Sequence, residues 1–127
     1  MLVVTHGAAG ASLVETAERV TGPLAPIGAV GVGPAEEPTA FQHRIEEQVR
    51  RLGTDEVLFL VDLAGSTPAN LCQRFCGHGG VLVTGVNLAM LFKLATADRS
   101  HGARALAEEL LRTGLKSIGI IDAADRS

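Results

Sequence analysis

The amino-acid sequence predicts an α/β domain with a mainly parallel sheet covered by helices on both faces. Short apolar runs alternate along the chain with stretches in which apolar residues recur at helical spacing, and this alternation is typical of βαβ units. The most apolar run extends from Val57 to Val61, as expected for a parallel strand that helices cover on both sides. Four strands follow this pattern, whereas the direction of a fifth is left open because two helices precede it.

The amino-terminal part of the chain predicts a strand, a helix and a second strand. The run from Leu2 to Val4 is apolar and β-branched, which favours a strand. A helix follows at about Gly10, capped by Gly10 or by Ser12, and it stops at Gly22. The segment from Ile27 to Val32 predicts the second strand, although glycines interrupt it.

Two helices surround the third strand. The first has Thr39 as its expected cap and Gly53 as its end. The second extends from about Ala69 to Cys76, with Thr67 as the expected cap because proline follows it in the first turn. The core face of the first helix is predicted to consist of apolar residues at helical spacing, namely Phe41, Ile45, Val49 and Leu52.

The carboxyl-terminal part of the chain predicts two strands and two helices. Val81 to Thr84 is the fourth strand. Helical spacing then covers Leu88 to about Ala97 and Gly102 to Thr113, with Gly114 as the expected end of the second helix. The run from Ser117 to Ile121 predicts the last strand, and the residues after it are expected to form a frayed tail.

Composition and charge exclude several classes of function. The 127 residues are 46% hydrophobic with a net charge of -3, which predicts one domain over residues 1–127. An acidic balance without a basic run, Trp or Tyr gives no electrostatic basis for nucleic-acid binding. No apolar run reaches the roughly 18 residues that a membrane span needs, so we expect a cytoplasmic protein without membrane insertion. Cys72 and Cys76 lack a second pair for a zinc site, and we interpret them as buried apolar side chains.

Polar residues follow the first and third predicted strands. His6 ends the first strand, Asp62 ends the third, and Gly65, Ser66 and Thr67 lie just beyond it. If the two strands are neighbours, His6 and Asp62 meet at the carboxyl edge of the sheet. A carboxylate bonded to one ring nitrogen would fix the tautomer and leave the other nitrogen as nucleophile or base. The glycine and the N–H groups of the next helix would suit an anion such as a phosphoryl group. We predict no metal and no cofactor.

Three segments resemble the signatures of a known family. They read THG at residues 5–7, LVDLAGSTPAN at residues 60–70 and GVNLAML at residues 85–91. Their order and spacing are similar, across nearly the whole chain, to those of the enzyme IIA component of mannose-class (mannose, fructose and sorbose) sugar phosphotransferase systems.

The resemblance implies a cytoplasmic phosphocarrier that forms a homodimer. The carrier protein HPr would donate a phosphoryl group to His6, and an enzyme IIB component would receive it on the way to a sugar. In the family the aspartate at Asp62 orients the histidine, and the hydroxyl residue at Thr67 helps to hold the phosphoryl group. The implied fold is a parallel four-stranded sheet with a fifth, antiparallel strand, here Ser117 to Ile121, that is exchanged between two subunits.

The chain departs from the family pattern near these motifs. Ser66 replaces a glycine that is usual in the family, Ala64 stands where an aromatic residue is common, and Ala89 stands where a proline is common. The small side chain of Ala64 could change which partner docks over His6. No IIB domain follows in this sequence, so the acceptor is expected to be a separate protein.

Other functions stay open at the level of sequence. A nucleotide-binding module is one, since THGAAG at residues 5–10 resembles a dinucleotide fingerprint with Thr5 as its first residue, but the acidic residue expected after the second strand is absent. A hydrolase would use Ser66 or Thr67 as nucleophile with His6 and Asp62, but the G-x-S-x-G turn is missing. A regulatory phosphocarrier would use the charge on His6 to change its partners without sugar transport.

Overall fold

The described part of the chain contains one sheet of four strands. The computed structural model describes residues 1–54 and 56–123. The strands are paired in the order β2-β1-β3-β4, and all three ladders are parallel. The predicted sheet of four parallel strands is therefore confirmed. Its members are β1 (Leu2–His6), β2 (Gly28–Val32), β3 (Leu58–Val61) and β4 (Val81–Val83).

Five α-helices lie within the same residues. None of them is long and apolar enough to cross a membrane. A short 3₁₀ turn at Cys76–His78 precedes β4. The helices are α1 (Ala9–Thr21), α2 (Pro38–Leu52), α3 (Thr67–Gln73), α4 (Leu88–Lys93) and α5 (Gly102–Lys116).

The helices cover both faces of the sheet, as predicted. Helices α1, α4 and α5 pack on the face that carries Val3 and Leu60. Helices α2 and α3 pack on the opposite face, against Val4 and Phe59. Because successive side chains of a strand point to opposite faces, the central strands β1 and β3 must be apolar at nearly every position. This explains the uninterrupted apolar run that ends at Val61.

The starts of α2 and α3 differ from the predicted caps. Helix α3 is capped by Ser66, whose Oγ accepts a hydrogen bond from the Ala69 backbone N–H at 3.4 Å, so the prediction of Thr67 as the cap is wrong by one residue. Helix α2 begins at Pro38 rather than after Thr39. In both helices the proline falls within the first turn, where its missing N–H costs little.

The boundaries of α1 and α5 also differ from the expectation. No side chain within α1 caps it. Instead Thr5 Oγ1 accepts the Gly10 N–H at 2.8 Å, so the caps proposed at Gly10 and Ser12 are wrong. Helix α5 continues through Gly114 to Lys116, so the predicted end at Gly114 is wrong, and this glycine is buried against α4. A Cβ there would lie 2.5 Å from Met90 Cε.

The segment after α5 is apolar and exposed. In the single chain residues 118–121 form no strand, and Ile118, Ile120 and Ile121 are 72%, 92% and 84% exposed. The exchange of this segment between two subunits stays a prediction, since a single chain has no second subunit to receive it. Residues 124–127 of the expected tail lie outside the described residues.

Candidate active site

The sheet brings His6 and Asp62 together at its carboxyl edge. Strands β1 and β3 are neighbours, with Val4 paired to Val61. The residue after Val61 therefore lies beside the end of β1, where His6 is the last strand residue. The expectation that the two side chains meet if their strands are adjacent is confirmed by this register.

One carboxylate oxygen of Asp62 holds His6 in two ways. Asp62 Oδ2 accepts the backbone N–H of His6 at 2.9 Å and lies 2.9 Å from Nδ1 of its ring. With the ring donating from Nδ1, the lone pair is on Nε2. The His6 side chain is 54% exposed, whereas that of Asp62 is 24% exposed. The aspartate is thus recessed, and the ring that it orients faces solvent.

The environment of Asp62 favours its charged form. Partial burial raises its pKa, but the hydrogen bonds from the His6 backbone and ring and the attraction of the ring outweigh burial, so the pKa of Asp62 is lowered from its ordinary value. Among the described residues the second oxygen, Oδ1, is buried without a hydrogen-bond partner. All of the polar contacts that reach Asp62 from His6 therefore converge on a single oxygen.

The loop after Asp62 is shaped by Ser66. Its hydroxyl donates to the Leu63 carbonyl at 2.6 Å and also caps α3. Gly65 has a φ of +74°, a conformation that glycine adopts without strain. Because the proton of Ser66 is committed to Leu63, the Ser66 hydroxyl does not form the serine–histidine hydrogen bond that a hydrolase would need.

The start of α3, where unpaired N–H groups were predicted, is partly capped by Ser66. Pro68 has no N–H, Ala69 donates to Ser66 Oγ, and Asn70 donates to the Ser66 carbonyl at 2.9 Å. The expectation of an unpaired N–H group is therefore wrong at Ala69, whose N–H the Ser66 hydroxyl accepts. Thr67 is the remaining predicted anion-binding hydroxyl, and its side chain is exposed.

An open cleft of about 440 Å³ lies beside the histidine. Thr67 and His6 both line it, so the structure brings together two of the predicted site residues there, while Gly65 and Ser66 lie outside its lining. The remaining walls come from the β1–α1 turn, from the end of β2 with the loop that follows it, and from the first residue of α2. Their residues are Gly7, Val32, Gly33, Pro34, Glu36 and Pro38.

A glycine that the sequence analysis did not single out fixes the backbone beside His6. Gly31 lies so close to Gly7 that a Cβ on it would be 1.7 Å from the Gly7 carbonyl oxygen. The Gly7 N–H also donates to the Val32 carbonyl at 2.9 Å. A glycine inside a strand often marks such a close approach of two backbones, and this was the available signal.

A charged pair at the cleft was also missed. Glu36 lines the cleft, and its Oε1 accepts a hydrogen bond from Arg44 Nη1 at 2.7 Å. The two residues lie in a loop and on α2, eight positions apart. Sequence alone offers little signal for a contact between a loop residue and a helix residue at this spacing.

Of the two cysteines interpreted as buried apolar side chains, Cys72 is buried and Cys76 is only partly buried. Cys72 is buried among the core residues of α2 and α3, and burial, helped by the neighbouring Cys76, raises the pKa of its thiol to about 12. A thiol of this kind is an inert apolar group at neutral pH. Within the described residues no three His, Cys, Asp or Glu side chains are grouped as metal ligands.

Comparison with known proteins shows which family the sequence matches. The EIIA-man family model, described as PTS system fructose IIA component, matches residues 1–111. The PTS system mannose-specific EIIAB component of Escherichia coli K12 is 33% identical over 126 residues, covering 93% of this chain and 39% of the relative. The chain therefore spans about two fifths of the length of that relative.

Solved structures share the fold. The mannose/sorbose specific IIA subunit from Enterococcus faecalis superposes with a TM-score of 0.87 at 24% identity, covering 95% of this chain and 92% of the other. A PTS IIA protein associated with the fucose utilization operon from Streptococcus pneumoniae has a TM-score of 0.78 at 27% identity, covering 94% and 90%.

Proposed function

Since the chain belongs to the EIIA-man family of phosphotransferase-system IIA components, we propose that it is a cytoplasmic phosphocarrier charged on His6. Its donor is phosphorylated HPr, and its acceptor is an enzyme IIB component of a sugar phosphotransferase system. The observation that carries this proposal is the pair of 2.9 Å contacts by which Asp62 Oδ2 holds the backbone and the ring of His6. A phosphocarrier needs a histidine whose ring is held at one nitrogen and whose other nitrogen is accessible to the partner protein.

The proposed chemistry is an in-line transfer between two histidines. The Nε2 lone pair of His6 attacks the phosphorus atom, a new N–P bond forms, and the N–P bond of the donor breaks with its electron pair returning to the donor ring. Nδ1 of His6 keeps its proton. The positive charge that develops on the ring is stabilised by Asp62, whose lowered pKa keeps it ionised at neutral pH. Transfer to the acceptor is the reverse of these steps on the same nitrogen.

The phosphoryl oxygens need donors near His6. A phosphoryl group carries about 1.5 to 2 negative charges at neutral pH. The hydroxyl of Thr67 in the cleft is the side-chain donor that we propose, with the backbone at Gly65 as a second contact. Ser66 contributes indirectly, because its hydroxyl caps α3 and donates to Leu63.

We further propose that the protein is a homodimer that exchanges residues 117–121. Strand β4 is the last strand of the sheet in the described residues, and a groove of about 130 Å³ runs between it and α5. Leu115 on α5 and Ile120 beyond it are 61% and 92% exposed. An antiparallel strand from a second subunit would cover the edge of β4 and bury these side chains.

Intact-protein mass spectrometry tests the carrier function. The protein is mixed with enzyme I, HPr and phosphoenolpyruvate at mildly alkaline pH, where phosphohistidine survives. We expect one added phosphoryl group on the wild type and none on His6→Ala. His101→Ala is the matched control, because His101 is also bonded to an aspartate, and it should be charged like the wild type. Charging of His6→Ala, or an uncharged wild type beside charged HPr, would refute the proposal.

A further inference from the structure

The cleft that faces His6 contains a carboxylate. Glu36 lines the cleft and is only 17% exposed. Its Oε1 accepts hydrogen bonds from the Gly33 backbone N–H at 3.0 Å and from Arg44 Nη1 at 2.7 Å. These two bonds hold the carboxylate against the loop that follows β2.

Glu36 is ionised at neutral pH. The hydrogen bond from the Gly33 backbone, followed by that from Arg44, lowers its pKa below the ordinary value. A cleft of about 440 Å³ has dimensions on the order of the roughly 10 Å Debye length at 0.1 M salt. An unpaired carboxylate there would oppose the entry of a phosphoryl group, which brings 1.5 to 2 negative charges.

Arg44 is placed to cancel this charge. It reaches from α2 across the end of β2, where the same Nη1 also donates to the Gly31 carbonyl at 3.0 Å. Its guanidinium lies 5.8 Å from the centroid of the buried Phe41 ring. The arginine is therefore supported on three sides, by Glu36, by the backbone of β2 and by an aromatic ring.

Building on the proposed function, we propose that Arg44 is a positioning residue for phosphoryl acceptance. It neutralises Glu36 and holds that carboxylate on the wall of the cleft, so that an anionic group can approach His6. Arg44 itself acts through Glu36 and is not assigned a contact with the phosphoryl group. The loop after β2 thus contributes a carboxylate whose charge is neutralised by an arginine, and not an unpaired negative charge.

A charge-rescue experiment tests this inference. The rate of His6 charging by phosphorylated HPr is measured by mass spectrometry for the wild type, Arg44→Gln, Glu36→Gln and the double variant. We expect Arg44→Gln to be roughly tenfold slower, the size of effect that one uncompensated charge near the reacting group produces. Glu36→Gln keeps an oxygen acceptor for Gly33 but loses the charge, so the double variant should recover to within about threefold of the wild type.

The matched control is Arg51→Gln. It breaks a similar ion pair, Arg51 to Glu47 at 2.8 Å on the same helix, and changes net charge equally, but it should charge at the wild-type rate. Thermal unfolding of each variant reports whether the fold is kept. Equal rates for Arg44→Gln and the wild type, or a double variant as slow as Arg44→Gln, would overturn the inference while leaving the carrier function intact. A wild type that accepts no phosphoryl group from charged HPr would overturn both.

Discussion

Two aspartate–histidine pairs occur in the described residues. Their nitrogen–oxygen distances are similar, but their sequence separation and their surroundings differ. Nδ1 of His6 lies 2.9 Å from Asp62, and Nε2 of His101 lies 3.1 Å from Asp98. The members of the first pair are 56 positions apart and meet because β1 and β3 are adjacent. Those of the second are three positions apart in the loop before α5.

The surroundings decide what each pair can do. Asp98 is 62% exposed, and its other oxygen accepts two hydrogen bonds from Ser100 at 2.6 and 2.9 Å, so its main role is to shape a turn. Solvent screens such an exposed contact, so it contributes little to stability. Asp62 is recessed and binds both the backbone and the ring of one residue. A short contact alone therefore does not make a functional site. The surrounding strands and hydrogen bonds must also hold the two residues in place.

The largest expected difference between the pairs is in the effect of removing the carboxylate charge. Asp62→Asn keeps an oxygen that can accept from His6, so the fold should be retained, but the charge that stabilises the developing cation is lost. We expect His6 charging to slow by on the order of 10²-fold or more. Asp98→Asn should leave the rate unchanged, since its pair faces solvent. Rapid-quench mass spectrometry measures both, and an unchanged rate for Asp62→Asn would remove Asp62 from the mechanism.

A smaller effect is expected from a substitution that moves the backbone beside His6 but leaves His6 and Asp62 unchanged. Gly31→Ala places a Cβ where the Gly7 carbonyl lies, so the backbone next to His6 must move. We expect a loss of about 1 to 3 kcal/mol in the free energy of unfolding and charging that is roughly tenfold slower.

Gly77→Ala serves as the control for this variant. A Cβ at Gly77 meets no atom within 4 Å, and its φ is not in the left-handed region. Urea unfolding and the charging rate are measured on both variants. If the two alanine variants behave alike, the contact between Gly31 and Gly7 does not fix the histidine.

The smallest effect on charging is expected from the far end of the chain. Ile120→Asp puts a charge into the apolar segment that we propose to be exchanged, and it should shift the protein from dimer to monomer in sedimentation experiments. Charging of His6 should change by less than about threefold, because both members of the site pair come from one chain. Val20→Asp, at a similarly exposed apolar residue on α1, should leave the oligomeric state as it is. A wild type that sediments as a monomer would contradict the exchange.

Local signals in the sequence were sufficient for most of the fold. The apolar run ending at Val61 and the helical spacing around Phe41 and Ile45 predict buried elements, and these side chains are buried. The parallel order of strands also predicts that His6 and Asp62 share an edge. These inferences rest on periodicity and on the geometry of parallel sheets, which neighbouring residues encode.

Other features depend on contacts that periodicity does not encode. Ser66 rather than Thr67 caps α3 because the chain turns one residue earlier than the proline suggests. The approach of Gly31 to Gly7 and the reach of Arg44 to Glu36 need the relative placement of separate elements. The choice of a helix cap depends on free-energy differences of about 1 kcal/mol between neighbouring residues. Glycine contacts depend on how separate elements pack, so neither was predicted from the sequence.

The orientation of the His6 ring has a consequence for the kinetics of the proposed carrier. Asp62 occupies Nδ1, so donor and acceptor must both use Nε2, one after the other. The two partner proteins therefore compete for the same docking position, and no complex of all three can be productive. Turnover should follow a ping-pong scheme in which an excess of either partner inhibits the other.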